Sequence, residues 1–264
     1  MSEKTLLDTA HAAMMQNPED VQLRMSFYSI LADIEVFLLL EAEPKAEMIE
    51  PQIVEVEGER LVLGFDSAAR LSAFTGGPAP YAALSGRIMA QMLATEGAGL
   101  ALNLEVAPSS IMLPAEAMVW MCDTLKAAPQ EAAPAAKRKG GLAALKSPDI
   151  PEVLLHALDA KLSRAAGLAN VAYLVAKEEG GMMLAILGAK EPAQAPLAKA
   201  ASEALVFSGL EDTSLDVAFF NDSEALRDQF ARAGLRFDVP VPATPSLQTP
   251  AAPGRDPSAP PKLR

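Results

Sequence analysis

The chain has a single cysteine, Cys122, in 264 residues. That excludes an internal disulfide and a zinc site built on thiolates, and it agrees with a reducing compartment. Its two histidines, His11 and His156, stand far apart with no cysteine beside either, so no metal-ligand spacing surrounds them and each is expected on a helix surface. Aromatic residues make up only 5% of the chain while 50 residues are Ala. The cores must therefore come from Leu, Val, Ile and Met, and they should pack thinly. The longest apolar run near a helix, Val36 to Leu40, is far short of the roughly 20 residues a membrane span needs. The opening residues MSEKTLLDTAHAAMM include acidic side chains and no apolar stretch before a small-residue cleavage site, so no secretory signal is expected. These absences lead to the expectation of a soluble, cytoplasmic chain with no membrane partner.

Acidic charge is present in excess and unevenly spread. Residues 1–125 hold 18 acidic and 6 basic side chains, residues 126–147 carry a net +4, residues 148–239 a net −6 and the remainder +2, which sums to the chain's −12. An acidic domain repels phosphate backbones, so nucleic acid is not expected as a partner of the first half. The stretch Lys126 to Pro148, KAAPQEAAPAAKRKGGLAALKSP, is rich in Ala, Pro and Gly around a basic core and cannot bury a face of its own. It reads as a flexible linker (126–148) between two domains of roughly 100 residues each. The expected boundaries are 1–125 and 149–239. From Pro240 onward 8 of 25 residues are proline, so 240–264 is expected to be a disordered tail.

The pattern of elements is similar on the two sides of the linker. In the first half, helices are expected over Leu6–Met15 and from Pro18 to about Ala32, the proline suiting a first helical turn. A buried strand follows over Ile34–Leu40, then a hairpin, Ile53–Glu57 and Arg60–Phe65, turning at Glu57-Gly58-Glu59. Asp66 and Ser67 are cap residues for a short helix that stops at Thr75-Gly76-Gly77-Pro78. Tyr81–Glu96 reads as helix, Gly99–Leu104 as strand and Pro114–Lys126 as the closing helix. In the second half, helix Ile150–Ala165 precedes a hairpin, Asn170–Lys177 and Met182–Leu187, joined by Glu178-Glu179-Gly180-Gly181. Helix Pro196–Phe207, strand Leu215–Phe220 and helix Glu224–Ala233, capped by Asp222-Ser223, complete it. The fold class expected is α/β (α+β): two small mixed-sheet domains, each reading helix, hairpin, helix, strand, helix, with no residue-level repeat between them.

Several segments carry a family likeness. FDSAARLSAF, PYAALSGRIMAQML and GLALNLEVAPSSIMLPAEAMVWM, spanning Phe65 to Met121, resemble the N-terminal domain of the SseB family. DIPEVLLHALDAKL, NVAYLVAKEEGGMMLAIL and SGLEDTSLDVAFFNDS resemble that family's C-terminal domain, in the same order. The likeness covers roughly residues 20 to 239 and rests on distributed pattern rather than a chemical motif. Members often have Asn-Pro-Gly where this chain has Asn103-Leu104-Glu105. The resemblance implies a bacterial cytosolic protein named for a serine-sensitivity phenotype, and it carries no catalytic residue over.

No constellation suited to catalysis stands out. Cys122 shares a helical face with Met118, Met121 and Leu125 and reads as a small core hydrophobe rather than a nucleophile activated by a basic neighbour. Thr75-Gly76-Gly77 lacks the Gly-Lys-Ser/Thr ending of a phosphate loop, and Ser85 lacks the glycines of a nucleophile elbow and reads as a helical serine. No catalytic, metal or cofactor residue is assigned. Two features keep functional weight. Glu41, Glu43, Glu47, Glu50, Glu55, Glu57 and Glu59 crowd one loop and hairpin, relieved only by Lys45 and Arg60, as a solvated edge or as a docking face for a basic protein. The only tryptophan, Trp120, lies on the Glu116/Thr124 side of its helix, where it can anchor an interface or pack beneath the linker. The expected function is a non-catalytic interaction or regulatory module with a protein partner. The alternative is a sensor of a small metabolite, conceivably an amino acid, in a cleft between domains.

Overall fold

The computed structural model describes residues 4–44, 49–126, 145–178, 180–210 and 213–242. Among them are eight helices and ten strands in two mixed sheets. The first half runs α1 (Leu6–Gln16), α2 (Val21–Asp33), β1 (Glu35–Leu39), β2 (Ile53–Val56), β3 (Glu59–Phe65), α3 (Ala68–Thr75), β4 (Tyr81–Ser85), α4 (Gly86–Glu96), β5 (Gly99–Leu102), β6 (Ile111–Leu113) and α5 (Ala115–Lys126). The second runs α6 (Glu152–Leu162), β7 (Val171–Ala176), β8 (Met182–Leu187), α7 (Glu191–Val206), β9 (Leu215–Phe220), α8 (Glu224–Ala231) and β10 (Leu235–Asp238).

The first sheet has the order β4-β1-β3-β5-β6, with β2 also paired to β3; the second is β10-β7-β8-β9. In each, a first strand pairs antiparallel with the next long strand, which then pairs parallel with a third, β1-β3-β5 and β7-β8-β9. A parallel pair needs a crossover. The segment containing α4 supplies it in the first half and α7 in the second. An edge strand lies antiparallel on the outer side of the first strand in both halves, β4 on β1 and β10 on β7. The four-strand arrangement is thus the same, but its edge strand is drawn from different points of the chain.

Both faces of each sheet are covered, which is why the central strands read as near-continuous apolar runs. In β3, Leu61, Leu63 and Phe65 face one side with Leu71 of α3, while Val62 faces the layer of α2, α4 and α5. In β7 and β8, Ala172, Leu174, Leu184 and Ile186 pack on α6 and α7, and Tyr173, Val175, Met183 and Ala185 pack towards Phe230 of α8.

Several expectations need correction. Tyr81–Ser85 is a strand, not the first turn and a half of a helix: it pairs with β1 along its whole length, and Ser85 caps α4 by accepting from the Ile88 amide. Gly86 allows that junction, because a Cβ there would lie 1.7 Å from the Leu31 carbonyl oxygen. Helix α2 starts at Val21, not Pro18, since Asp20 accepts from the Gln22 and Leu23 amides. Helix α7 starts at Glu191 and contains Pro196. Strands β6 and β10 had no counterpart in the sequence reading.

Of the proposed linker, residues 127–144 lie outside the described residues, but Lys126 ends α5 and Lys146 bridges to Ala176 at the margin of the second sheet. Of the tail, 243–264 lies outside the described residues. Its first residues dock: the Pro240 carbonyl accepts from the Gly167 amide at 2.9 Å, just after buried Val239.

Candidate functional site

Each acidic or aromatic residue singled out from the sequence has a definite place, except Glu47, which lies outside the described residues. Glu41, Glu43 and Glu50 flank the segment between β1 and β2, and Glu55, Glu57 and Glu59 belong to the β2–β3 hairpin; all six are exposed. Among the described residues none of them forms an ion pair. The hairpin turns on Glu57 and Gly58, both at positive φ (54° and 89°), a tight connection suited to the right-handed strand twist. Strand β2 pairs only with β3, so the hairpin presents a short, charged edge.

Trp120 is half-exposed on α5 and stands away from the acidic hairpin. Its ring meets Tyr28 of α2 at 5.1 Å between centroids and Phe207 at 6.2 Å, both edge-on. Phe207 caps α7 in the second half yet is buried among the first half's core residues. Trp120 therefore belongs to the junction of the halves.

The junction also holds charges that sequence reasoning missed. Asp33 at the end of α2, Arg87 in the first turn of α4, Lys161 and Arg164 at the end of α6, and Glu203 of α7 converge there. Arg87 donates to Glu203 at 2.9 and 3.1 Å and to Asp33 at 2.6 Å. Lys161 donates to Asp33 at 2.7 Å and to Glu203 at 3.0 Å, and its ammonium lies 6.0 Å from the Phe207 ring centroid. Arg164 reaches Asp33 at 2.6 Å. Burial alone would raise the pKa of Asp33 and Glu203, but the Lys161 and Arg87 charges and hydrogen bonds hold both below the usual carboxylate range. Arg87 is held further into its charged form, chiefly by Glu203. Beside this cluster opens a cleft of about 300 Å³, lined by the charges together with Leu168, Pro196, Lys199 and Ala200. No single stretch of sequence could have shown this, because the five charged residues come from positions 33 to 203.

A second buried polar cluster lies wholly in the first half. Arg70 donates to Asp8 at 2.5 and 3.0 Å and to Asp66 at 2.8 and 2.9 Å. Ser109 donates to Asp8 at 2.6 Å and accepts from Asn103, whose side-chain oxygen accepts from the Asp66 amide at 3.0 Å. Burial would raise the Asp8 pKa, but Arg70 and Ser109 hold it well below the usual range. Asn103 follows β5 at φ 52°, a left-handed conformation that asparagine tolerates, so the turn forms without the Pro-Gly common in the resembled family. The cluster ties α1 to the loops after β3 and β5 and opens into no described cavity.

His11 is buried against Phe27, contrary to its expected place on a helix surface, whereas His156 is exposed. Cys122 is buried beside Met118, Met121 and Leu125 as expected, although Lys126, one turn on, does interact with it. Among the described residues no three His, Cys, Asp or Glu side chains are placed to hold a metal ion, and no helix is long and apolar enough to cross a membrane.

The first half is thus a mixed sheet with helices on both faces, closed by a buried Asp–Arg–Asp clamp. Residues 7–120 match the family model described as SseB protein N-terminal domain, which assigns the first half to the SseB family. The second half lies outside the matched segment. No curated protein and no solved structure matches the chain.

Proposed function

We propose that the chain is a non-catalytic interaction or regulatory module of the cytosol whose docking face is the acidic β2–β3 hairpin with the segment leading into it, and whose partner is a basic protein surface. The observation that carries this reading is that all six described glutamates of that face are exposed and none is paired with a cation of the described chain. Most other carboxylate clusters of the fold are neutralised from within, by Arg70, by Arg87 and Lys161, or by Arg227. Like charge concentrated at one edge raises the association rate of an oppositely charged partner and makes binding salt-dependent.

The test replaces Glu47, Glu50, Glu55 and Glu57 with Gln, which keeps size and hydrogen-bonding capacity. Folding should survive, because such surface changes cost within about 0.5 kcal/mol each. Partner recovery from native lysate should fall with the variant and, for the wild type, weaken once salt shortens the screening length below roughly 8 Å. Equal recovery with equal salt sensitivity would leave the acidic edge as a solubility device.

A second reading, a small-metabolite sensor, is favoured by a different observation: the cleft at the junction, lined by side chains from both halves.

A further inference from the structure

We propose that the junction cleft binds a small organic carboxylate with a short apolar body, its carboxylate held by Arg164 and Lys199. The proposal rests on the second reading, that the cleft takes a small molecule, and assigns the class of that molecule.

Charge counting supplies the sign. Asp33 and Glu203 contribute two negative charges, and Arg87 and Lys161, which each bond both of them, contribute two positive ones. The inner cluster is balanced. Arg164, which also shares Asp33, and Lys199 line the same cleft and add two further cations, so the described lining carries a net charge of +2. Arg164 spends one of its nitrogens on Asp33, leaving most of its donor fork available, and its side chain is 43% exposed. Lys199 is exposed and, among the described residues, makes no ion pair. Lys161 is unsuited to the role, since both carboxylates and the Phe207 ring already occupy it.

The walls supply the rest of the class. Leu168, Pro196 and Ala200 present carbon to the cleft. Leu168 is 40% exposed, so apolar surface is available to a ligand there. A volume of about 300 Å³ lies at the small end of ligand sites. A guanidinium fork and an ammonium together match the two oxygens of a carboxylate, and the apolar wall rewards a short hydrocarbon chain over inorganic phosphate.

Titration of the full chain with butyrate, 1-butanol and butylammonium, at constant ionic strength and followed by amide chemical shifts, separates the possibilities. Saturable shifts centred on α6 and α7 are expected with butyrate, and a loss of at least tenfold in affinity with Arg164→Gln/Lys199→Gln. Lys199→Gln alone touches no contact of the inner cluster and should still weaken butyrate severalfold, which guards against a double variant that folds poorly. Binding of butanol or butylammonium as tight as butyrate would overturn the carboxylate assignment while leaving the small-molecule reading standing. Binding of butyrate that is unchanged in both variants would overturn the assigned residues, and no saturable binding by any of the three would overturn both the assignment and the reading beneath it.

Discussion

Two segments of the molecule use the same local design. Phe65-Asp66-Ser67 ends β3 and caps α3, and Arg70 turns back to Asp66; Phe220-Asn221-Asp222-Ser223 ends β9 and caps α8, and Arg227 turns back to Asp222. Each short helix covers the second face of its sheet and leads into the edge strand, β4 or β10. The surroundings differ. In the first half α1 and its cap lie over the unit, adding Asp8 and Thr5, the loop after β5 adds Ser109, and the Arg70 side chain is only 2% exposed. In the second half, among the described residues, the pair is joined by Asn170 and stays open to water, with the Arg227 side chain 46% exposed. The pKa of Asp222 is drawn down to about 2, first by its hydrogen bond from Arg227, yet solvent screens that pair. Similar carboxylate shifts therefore carry unequal energetic weight, and burial decides which pair the fold depends on.

The comparison is broken most strongly by Arg70→Met, which strands the Asp8 and Asp66 carboxylates against each other in the interior. Loss of a buried partner costs about 3–5 kcal/mol, read as a lowered urea midpoint. Arg70→Lys keeps the charge but loses the planar fork that spans two carboxylates, so it should recover only part of the loss.

Glu203→Gln should cost less, about 1–3 kcal/mol, as a charged acceptor becomes a neutral one in the partly solvated junction. Arg87 and Lys161 keep Asp33 as a partner. Because the residue ties the halves together, its loss should also split a single urea transition into two, seen by following Trp120 fluorescence against far-ultraviolet ellipticity.

Acid sharpens the contrast. Asp8, Asp33 and Glu203 have folded-state pKa values below their unfolded ones. The stability they contribute is complete above the unfolded carboxylate range, near pH 4, and is lost as pH falls through the folded values. Thermal midpoints should hold between pH 7 and 5 and drop below pH 4. Arg70→Met should show a deficit that narrows in acid, since protonated Asp8 no longer needs the guanidinium.

The smallest effect is expected from Arg227→Met: a urea midpoint unchanged within error, because the pair it removes is screened by solvent and Asp222 keeps Asn170 as a partner.

Much of the fold was legible because its signals are local. The Glu57-Gly58 and Gly180-Gly181 turns, the Asp66-Ser67 and Asp222-Ser223 caps, and the apolar strands between them depend on neighbours in sequence. Tyr81–Ser85 was misread because Tyr-Ala-Ala-Leu has ample helix propensity, and only pairing with β1 makes it a strand. β10 was missed because Leu-Arg-Phe-Asp is short and its partner β7 lies some 60 residues away in the chain. Among site residues, the exposed glutamates were visible as a charge run. Asp33, Arg87, Lys161 and Glu203 were not, since isolated charges on amphipathic helices look alike whether they meet water or one another.

The central contrast is between a first sheet that depends on the buried charges around Arg70 and a second whose strands rest on apolar packing, with the buried Lys161–Glu203 pair confined to the helices at the junction. Hydrogen exchange of the full chain at pH 6 and at pH 3, corrected for intrinsic rates, tests it most directly. In acid, the amides of α1, β3 and β5 should lose protection while those of β7 and β8 keep theirs. Loss of β7 and β8 first, or of both sheets together, would contradict it.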